Sequence, residues 1–513
     1  MPLQPVAAAA GAVVAVMIAA RGSEAHPSRG DAPLLALAAV VAVTGGWLAS
    51  RSWPLLLPPG GGSDLTHHLM LVDVLERTRL LVDGDAMGGA LGEMAHYTPG
   101  LHLAIVTIGA LVGVEAWRAA YPLVVAPVAL KAGFVFLLAH RLLAGTRGQL
   151  PLALASVPLV LFTPRVYSLG GFLQSGYLAQ VAAEVFVVAG WWALTEWQVV
   201  PAARRMALVG TCAAATFLVW PIWIGPLVLT AAAAAMFRPG LALHARVRMT
   251  ALATGPVIIV AAMHLSGHAA WLRMAGTSGA VPAFLPDAAW WTLLACTAVG
   301  LVAAWRIATA RVTVGFLATL ALQAGVLVVV ARARGAETPY MAVKMTYLAA
   351  YPLAVLAALG LGRVLMMLPA RIGHGAAWAT AAAVGLIGAR LAAAFTVPAP
   401  VGSPDLFAAG IWARAHLAPA CVEYLVADGD TAYWLHLAVM GEPRASGRTA
   451  DLDHYGRNAA VGRWVDGTSL PYAVAELALL PAEVRRDTTE VYRAGGAAVI
   501  RRAAQPGDPP CTR

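Results

Sequence analysis

Long apolar runs recur along this chain and leave few folds open to it. They fall near 5–20, 33–49, 99–114, 119–140, 150–164, 178–196, 206–219, 221–236, 249–265, 288–305, 312–331, 345–361 and 376–394, and they stop after Val397. A helix needs about 20 apolar residues to cross the hydrocarbon of a bilayer, so several of these runs are tilted or partial spans. Inside lipid only helices and closed barrels satisfy their own backbone, and runs of this length select helices. The expected fold is therefore mainly α, a polytopic transmembrane bundle of about 11–13 helices over residues 1–397. Composition agrees: 60% of the 513 residues are hydrophobic and 12% are charged, against about a quarter charged in a soluble domain. The run at 5–20 lacks a basic start, so it reads as a retained segment.

The net charge of +9 is scattered between the apolar runs instead of forming a stripe. It reads as a positive-inside signal, and no nucleic-acid partner is expected. Arg141 and Arg147, Arg204 and Arg205, Arg238, Arg246 and Arg248, Arg306 and Arg311, and Arg363 and Arg371 favour the cytoplasm. The loops at 165–177, 266–287 and 333–343 then lie outside, with the C-terminal region. If every run crosses once, the polar loop 51–97 falls inside. We expect it outside, with the other polar loops, which requires one re-entrant or half-helix, such as 99–114 or a run near the N-terminus.

Residues 398–513 read as a small soluble α/β domain on the extracytoplasmic side. Strand-like pieces occur at Val422–Val426, Ala473–Leu480, Glu490–Tyr492 and Ala497–Ile500, with turn signals between them. Cys421 and Cys511 both lie here and can form a disulfide in an oxidising compartment, whereas Cys212 and Cys296 sit in apolar runs.

Titratable residues concentrate in Gly60–His102, which carries Asp64, His67, His68, Asp73, Asp83, Asp85, Glu93 and His96. After three glycines, Asp64 opens a stretch with apolar positions 69, 72, 75 and 80 on one face, the pattern of an interfacial amphipathic helix. Asp64 reads either as a helix N-cap or as a general base beside imidazoles. Asp64 and His68 are the pair that could hold a divalent cation such as Mg or Mn. His67 and His68 are adjacent and cannot both face one site from a helix.

Tyr97-Thr98-Pro99-Gly100-Leu101-His102 opens the next run, as an interfacial anchor with a helix start or with His102 bonding a polar substrate. Tyr340 to Tyr347 opens a later one around Lys344, one of only two lysines. Lys344 either snorkels or grips a phosphate as a compact charge. Lys131 and Glu184 lie within apolar runs and could pair or face a cavity. Tyr167, Gln174 and Tyr177 occupy a Gly-rich loop, and Trp220-Pro221 breaks a run into two short helices, at a cavity or a tight hairpin. Trp271 and Arg273 lie in a Gly/Ser/Pro-rich loop. Tyr433, Trp434, Arg444, Arg448, Asp451, Asp453 and Tyr455 form a patch suited to sugars or to an ordinary surface. No P-loop, dinucleotide fingerprint, nucleophile elbow or zinc motif is present.

With these residues in view, the chain resembles the GT-C superfamily of membrane glycosyltransferases, and among them cell-envelope arabinosyl- and mannosyltransferases. The likeness rests on Asp64 in GSDLTHH, on YTPGLH (Tyr97 to His102), on YMAVKMTYL (Tyr340 to Leu348), and on a terminal extracytoplasmic domain. Two apolar runs precede the early loop where one is typical, and the paired acid of that class is absent around Asp64. The resemblance implies a multi-pass cell-membrane enzyme that moves a sugar from a polyprenyl-phosphate donor to a glycan or lipid acceptor in cell-wall biogenesis. Asp64 would be the general base of an inverting displacement. Substrate would be bound by His67, His68, Tyr97, His102, Tyr340, Lys344, Tyr347, Tyr167 and Gln174. A multi-spanning transporter or lipid flippase also predicts many helices, broken ones and buried charges. A non-catalytic envelope scaffold is the third reading, and it makes Asp64 and Lys344 dispensable.

Overall fold

The computed structural model describes residues 32–52, 63–82, 91–162, 170–279, 288–418, 421–436 and 469–512. The chain runs through α1 (Ala32–Ser52), α2 (Ser63–Thr78), α3 (Gly100–Val112), α4 (Ala116–Leu142), α5 (Gln149–Phe162), α6 (Leu178–Val199) and α7 (Ala203–Val219). It continues through α8 (Ile224–Met236), α9 (Leu243–His268), α10 (Ala288–Trp305), α11 (Ala308–Ala333), α12 (Tyr340–Met366) and α13 (Ala370–Ala394). Among the described residues, α1, α4, α6, α9, α11, α12 and α13 are the seven helices long and apolar enough to cross a membrane. The run at 5–20 lies outside the described residues.

Among the described residues, the interior of the bundle is mostly apolar, and it encloses one ion pair. Lys131 of α4 and Glu184 of α6 form an ion pair in which both side chains are almost fully buried. The Tyr351 hydroxyl of α12 donates to the same carboxylate. Two opposite charges removed from water together are tolerated when each is compensated and hydrogen-bonded.

Arg141, Arg147, Arg205 and Arg238 gather at one end of the bundle. Arg141 pairs with Glu196 (3.2 Å), Arg147 donates to the Leu368 carbonyl, Arg205 to Glu196 and Val200 carbonyls, and Arg238 to Gln198. The polar loops meet at the other end. Thr98 reaches the Val219 carbonyl, Gln174 that of Thr396, and Arg334 those of Leu272 and Arg273.

The short helix α3 departs from a simple crossing. Its 13 residues span about 20 Å at 1.5 Å per residue, short of the roughly 30 Å of hydrocarbon. Its first turn meets α2 through His68 and His102. Just beyond its last turn, Ala116 donates its N–H to Glu76, near the far end of α2 (3.0 Å). So α3 runs beside α2 instead of through the bundle, and α2 stays at the polar-loop end.

Helix α2 differs from its expected form. It stops at Thr78, Arg79 takes a positive φ of 58°, and Leu80 is 70% exposed instead of joining the apolar face. Leu65, His67, Met70, Leu71 and Val74 are buried along with Val72 and Leu75. The reason is that α2 is covered by the bundle on one side and by the C-terminal region on the other, so it has no free face in the interface plane.

That C-terminal region contains α14 (Pro404–His416), β1 (Val422–Leu425), α15 (Gly429–Trp434), β2 (Tyr472–Glu476), α16 (Ala482–Arg486), β3 (Thr488–Ala494) and β4 (Ala497–Arg502). The sheet has order β1-β2-β4-β3, with β1 parallel to β2 and the other pairs antiparallel. Successive β4 side chains alternate between faces, as strand geometry requires. Ala497 and Val499 pack with Leu406, Ala409 and Ala413 of α14. Ala498 and Ile500 pack with Val484 of α16. A disulfide joins Cys421 to Cys511, closing 90 residues of chain with Cα atoms 5.8 Å apart.

Candidate active site

Three distant segments deliver the candidate residues to one place. The first is the N-terminal half of α2, where Asp64 and His68 share a face at i, i+4 spacing. Asp64 lies in the first turn, where a carboxylate faces the positive end of the helix dipole. His67, the residue before His68, points about 100° round the helix from it and shares a hydrogen bond with the Tyr433 hydroxyl of α15.

The second segment is the start of α3. Tyr97 and His102 are buried there, and the His68 Nδ1 and His102 Nε2 atoms share a hydrogen bond of 2.8 Å. The Tyr97 ring stands edge-on to both imidazoles, at 5.2 and 5.6 Å. Gly100 makes this placement possible. A Cβ there would sit 2.6 Å from the Leu218 carbonyl oxygen, so only glycine lets α3 begin this close to the end of α7.

The third segment is the start of α12, which carries Lys344. Its ammonium lies 4.3 Å from the Tyr340 ring centroid, 4.9 Å from Tyr177 and 5.0 Å from Trp220. Tyr340 opens α12 itself, while Trp220 and Tyr177 arrive from two irregular stretches. Trp220 is extended (φ −152°, ψ 92°) between α7 and the single 3-10 turn Pro221–Trp223, so the expected break is a hairpin whose tip faces the site. Tyr177 follows Gly176, whose φ of +66° and close approach to Leu65 fit the loop against α2. Cation–π contacts of this kind strengthen as water is excluded, and Lys344 is only 3% exposed.

These groups share one electrostatic environment. Burial lowers the His68 pKa to about 4, the charges of His67 and Lys344 push the same way, and the Asp64 carboxylate opposes them. His68 is therefore a neutral imidazole at physiological pH. Asp64 acts on the Tyr177 phenol as well, and Tyr177 on Tyr347. A carboxylate, two imidazoles and an aromatic-walled ammonium together can accept a proton from a hydroxyl and hold an anion beside it.

No protein-family model and no curated protein matches the sequence. Solved structures do. ArnT from Cupriavidus metallidurans, bound to undecaprenyl phosphate, is similar over 94% of this chain and 100% of that one, with TM-score 0.52 and 14% identity. The apo Archaeoglobus fulgidus oligosaccharyltransferase is similar over 94% of this chain and 76% of that one, with TM-score 0.52 and 13% identity. The archaeal oligosaccharyltransferase AglB from Archaeoglobus fulgidus, in complex with an inhibitory peptide and a dolichol-phosphate, covers 93% and 75%, with TM-score 0.52 and 12% identity. The chain has the GT-C fold.

Within this GT-C fold, Asp64, His68, Tyr97, His102, Tyr340, Lys344 and Tyr347 lie on the elements that meet at the polar-loop end. His67 is instead engaged by the Tyr433 hydroxyl. Gln174 gives its amide to the Thr396 carbonyl (3.2 Å). Tyr167, Asp83 and Asp85 lie outside the described residues, as do the side chains of Glu93 and Trp271. For a divalent cation, the described residues contain no group of three His, Cys, Asp or Glu side chains that could hold a metal ion. His68 and His102 direct their facing nitrogens at each other.

Tyr433 and Trp434 are buried, which removes the aromatic faces from the expected sugar patch. Its remaining members lie outside the described residues. Sequence reasoning did not connect Trp220 or Tyr177 with Lys344. It also missed a second histidine group, in which His264 and His268 stack at 4.6 Å and donate to the His96 and Val82 carbonyls. Their i, i+4 spacing at the end of an apolar helix was the available signal.

Proposed function

We propose that this chain is a membrane glycosyltransferase. It moves a sugar from a polyprenyl-phosphate donor to a hydroxyl of a cell-envelope glycan or lipid, on the extracytoplasmic face. The observation that carries this reading is the meeting of Asp64, His68 and an aromatic-walled Lys344 in a chain with the GT-C fold. Similar structures include one solved with undecaprenyl phosphate and one solved with dolichol-phosphate.

The chemistry follows from the groups present. Asp64 takes the acceptor hydroxyl proton, and the oxygen attacks the anomeric carbon from the face opposite the phosphate. The bond from that carbon to the phosphate oxygen breaks, and its electron pair leaves on polyprenyl phosphate. Lys344 holds the charge that develops there, so a single displacement inverts the anomeric centre. His68 stays neutral and orients a hydroxyl through its pair with His102. The His102 Nδ1 atom, buried and with no hydrogen-bond partner among the described residues, accepts from a sugar hydroxyl. The lipid chain follows α12 into an apolar cavity of about 570 Å³ between α5, α10, α12 and α13, walled by Ala357, Leu361, Phe162 and Ile387.

The test is transfer by purified, lipid-reconstituted protein from a panel of polyprenyl-phosphoryl sugars. Wild-type protein is expected to transfer from at least one donor, and Lys344→Ala to lose about a hundredfold or more, as when one charge-stabilising group is removed. No transfer from any donor, with solute uptake into vesicles instead, would move the reading to a transporter.

A further inference from the structure

We infer that the C-terminal region acts as a clamp that sets the position of α2, and that Tyr433 is its central positioning residue. This inference rests on the glycosyltransferase reading, because the groups that the clamp aims are Asp64 and His68.

Among the described residues, side chains of the C-terminal region reach the bundle at Tyr433, Arg414 and Phe407, and the first two meet α2. Tyr433 shares a hydrogen bond with His67, and the two rings meet edge to face at 5.5 Å. Arg414 of α14 holds both Asp73 oxygens, at 2.7 and 3.0 Å, while Arg77 holds the second from within α2 at 2.9 Å. The Trp117 ring, in the first turn of α4, packs on Phe407 at 4.3 Å.

Tyr433 is unusual within its own region. It belongs to the apolar core of the bundle, whereas the next residue, Trp434, belongs to the core under the sheet. Helix α15 is thus pinned on both sides. Its start is fixed too, because Asp428 accepts from the Thr431 N–H (2.8 Å) and the Thr431 hydroxyl donates to the Val401 carbonyl (3.0 Å).

The geometry of α2 turns this anchorage into a catalytic effect. Consecutive residues on a helix point about 100° apart, so fixing His67 fixes the direction of His68 and of Asp64 one turn earlier. The two clamp contacts are six residues apart, nearly two turns, and together they resist rotation as well as sliding. A displacement of about 1 Å at a reacting group costs about a hundredfold in rate. A partial loosening is expected to cost less than that and to leave the phosphate site on α12 untouched.

The test uses the full-length protein in lipid. For Tyr433→Phe, kcat is expected to fall about tenfold per molecule that binds polyprenyl phosphate, with binding unchanged within about twofold. Arg414→Ala should fall several-fold and Arg414→Lys should recover part of that. His67→Gln, which keeps a polar partner for Tyr433, should retain more activity than His67→Phe. Hydrogen exchange supplies a readout independent of transfer: amides of α2 should exchange faster in Tyr433→Phe while those of α6 and α12 do not change. Wild-type kcat with unchanged α2 exchange in Tyr433→Phe would overturn the inference. So would loss of phosphate binding in step with transfer, which marks general unfolding. If wild-type protein shows no transfer but Tyr433→Phe still loosens α2 alone, the clamp stands and the glycosyltransferase reading fails.

Discussion

The chain has two lysines, and the bundle treats them in opposite ways. Lys131 sits in the middle of α4, 1% exposed, with its charge cancelled by Glu184 and with Tyr351 closing the set. Lys344 sits in the first turns of α12 among three π-faces, beside a carboxylate and two imidazoles contributed by other segments. Residues 344 and 351 lie two turns apart on one helix, so the same face of α12 carries both environments. The difference teaches that burial alone does not mark a functional cation. The Lys131–Glu184 pair holds α4, α6 and α12 in register deep in the bundle, whereas Lys344 is walled by three rings at the polar-loop end, where the other candidate residues meet.

Substituting the two lysines should separate these roles. Lys344→Ala is expected to abolish polyprenyl phosphate binding and transfer while leaving thermal unfolding in detergent nearly unchanged. Lys131→Met should do the reverse by leaving the buried Glu184 without its counter-charge, at a cost of about 3–5 kcal/mol. If Lys131→Met also weakened phosphate binding at full stability, the two sites would not be separate.

The second contrast is between breaking and replacing the closed pair. Glu184→Gln should destabilise by a similar amount, while the double change Lys131→Met with Glu184→Leu should recover most of the loss, because an apolar pair of similar volume needs no desolvation. A double variant as unstable as the single ones would show that the charges contribute more than register.

A pH titration sharpens the Lys344 side of the comparison. Burial holds His68 near pKa 4 in the folded protein, against about 6.5 unfolded. The unfolded chain therefore binds the extra proton first. Stability from this group is intact above about pH 6.5 and falls as pH drops from there toward 4, by at most about 1.4 kcal/mol per unit. Unfolding midpoints followed over this range should show the loss, and His68→Asn should remove one proton's worth of it. The smallest effect is expected from Tyr351→Phe, which deletes one hydrogen bond to Glu184 and should cost about 1–3 kcal/mol in unfolding, with phosphate binding unaltered.

Much of this comparison can be read in the sequence, because composition and local pattern carry it. Apolar run lengths give the helices, and the scarcity of lysine draws attention to Lys131 and Lys344. The YTPGLH start has a local cause in Gly100, whose lack of a Cβ admits Leu218. What stays hidden depends on contacts between distant segments. The apolar pattern of α2 looks like a helix lying on a membrane, and only the packing of Tyr433 and Arg414 against it removes the free face. A 13-residue α3 can cross or lie flat by length alone, and only the contact of Ala116 with Glu76 shows that it runs beside α2. Tyr433 and Trp434 read as a surface pair because adjacent aromatic residues in a polar stretch give no sign that each enters a different core.

The central claim is that the cluster around Lys344 does chemistry with Asp64 as its base. The most direct measurement is the ratio of transfer rates for wild type and Asp64→Asn at matched polyprenyl phosphate occupancy. The account predicts binding equal within about twofold and transfer lower by about 10²–10⁴-fold in the variant. Transfer by Asp64→Asn at the wild-type rate would contradict it.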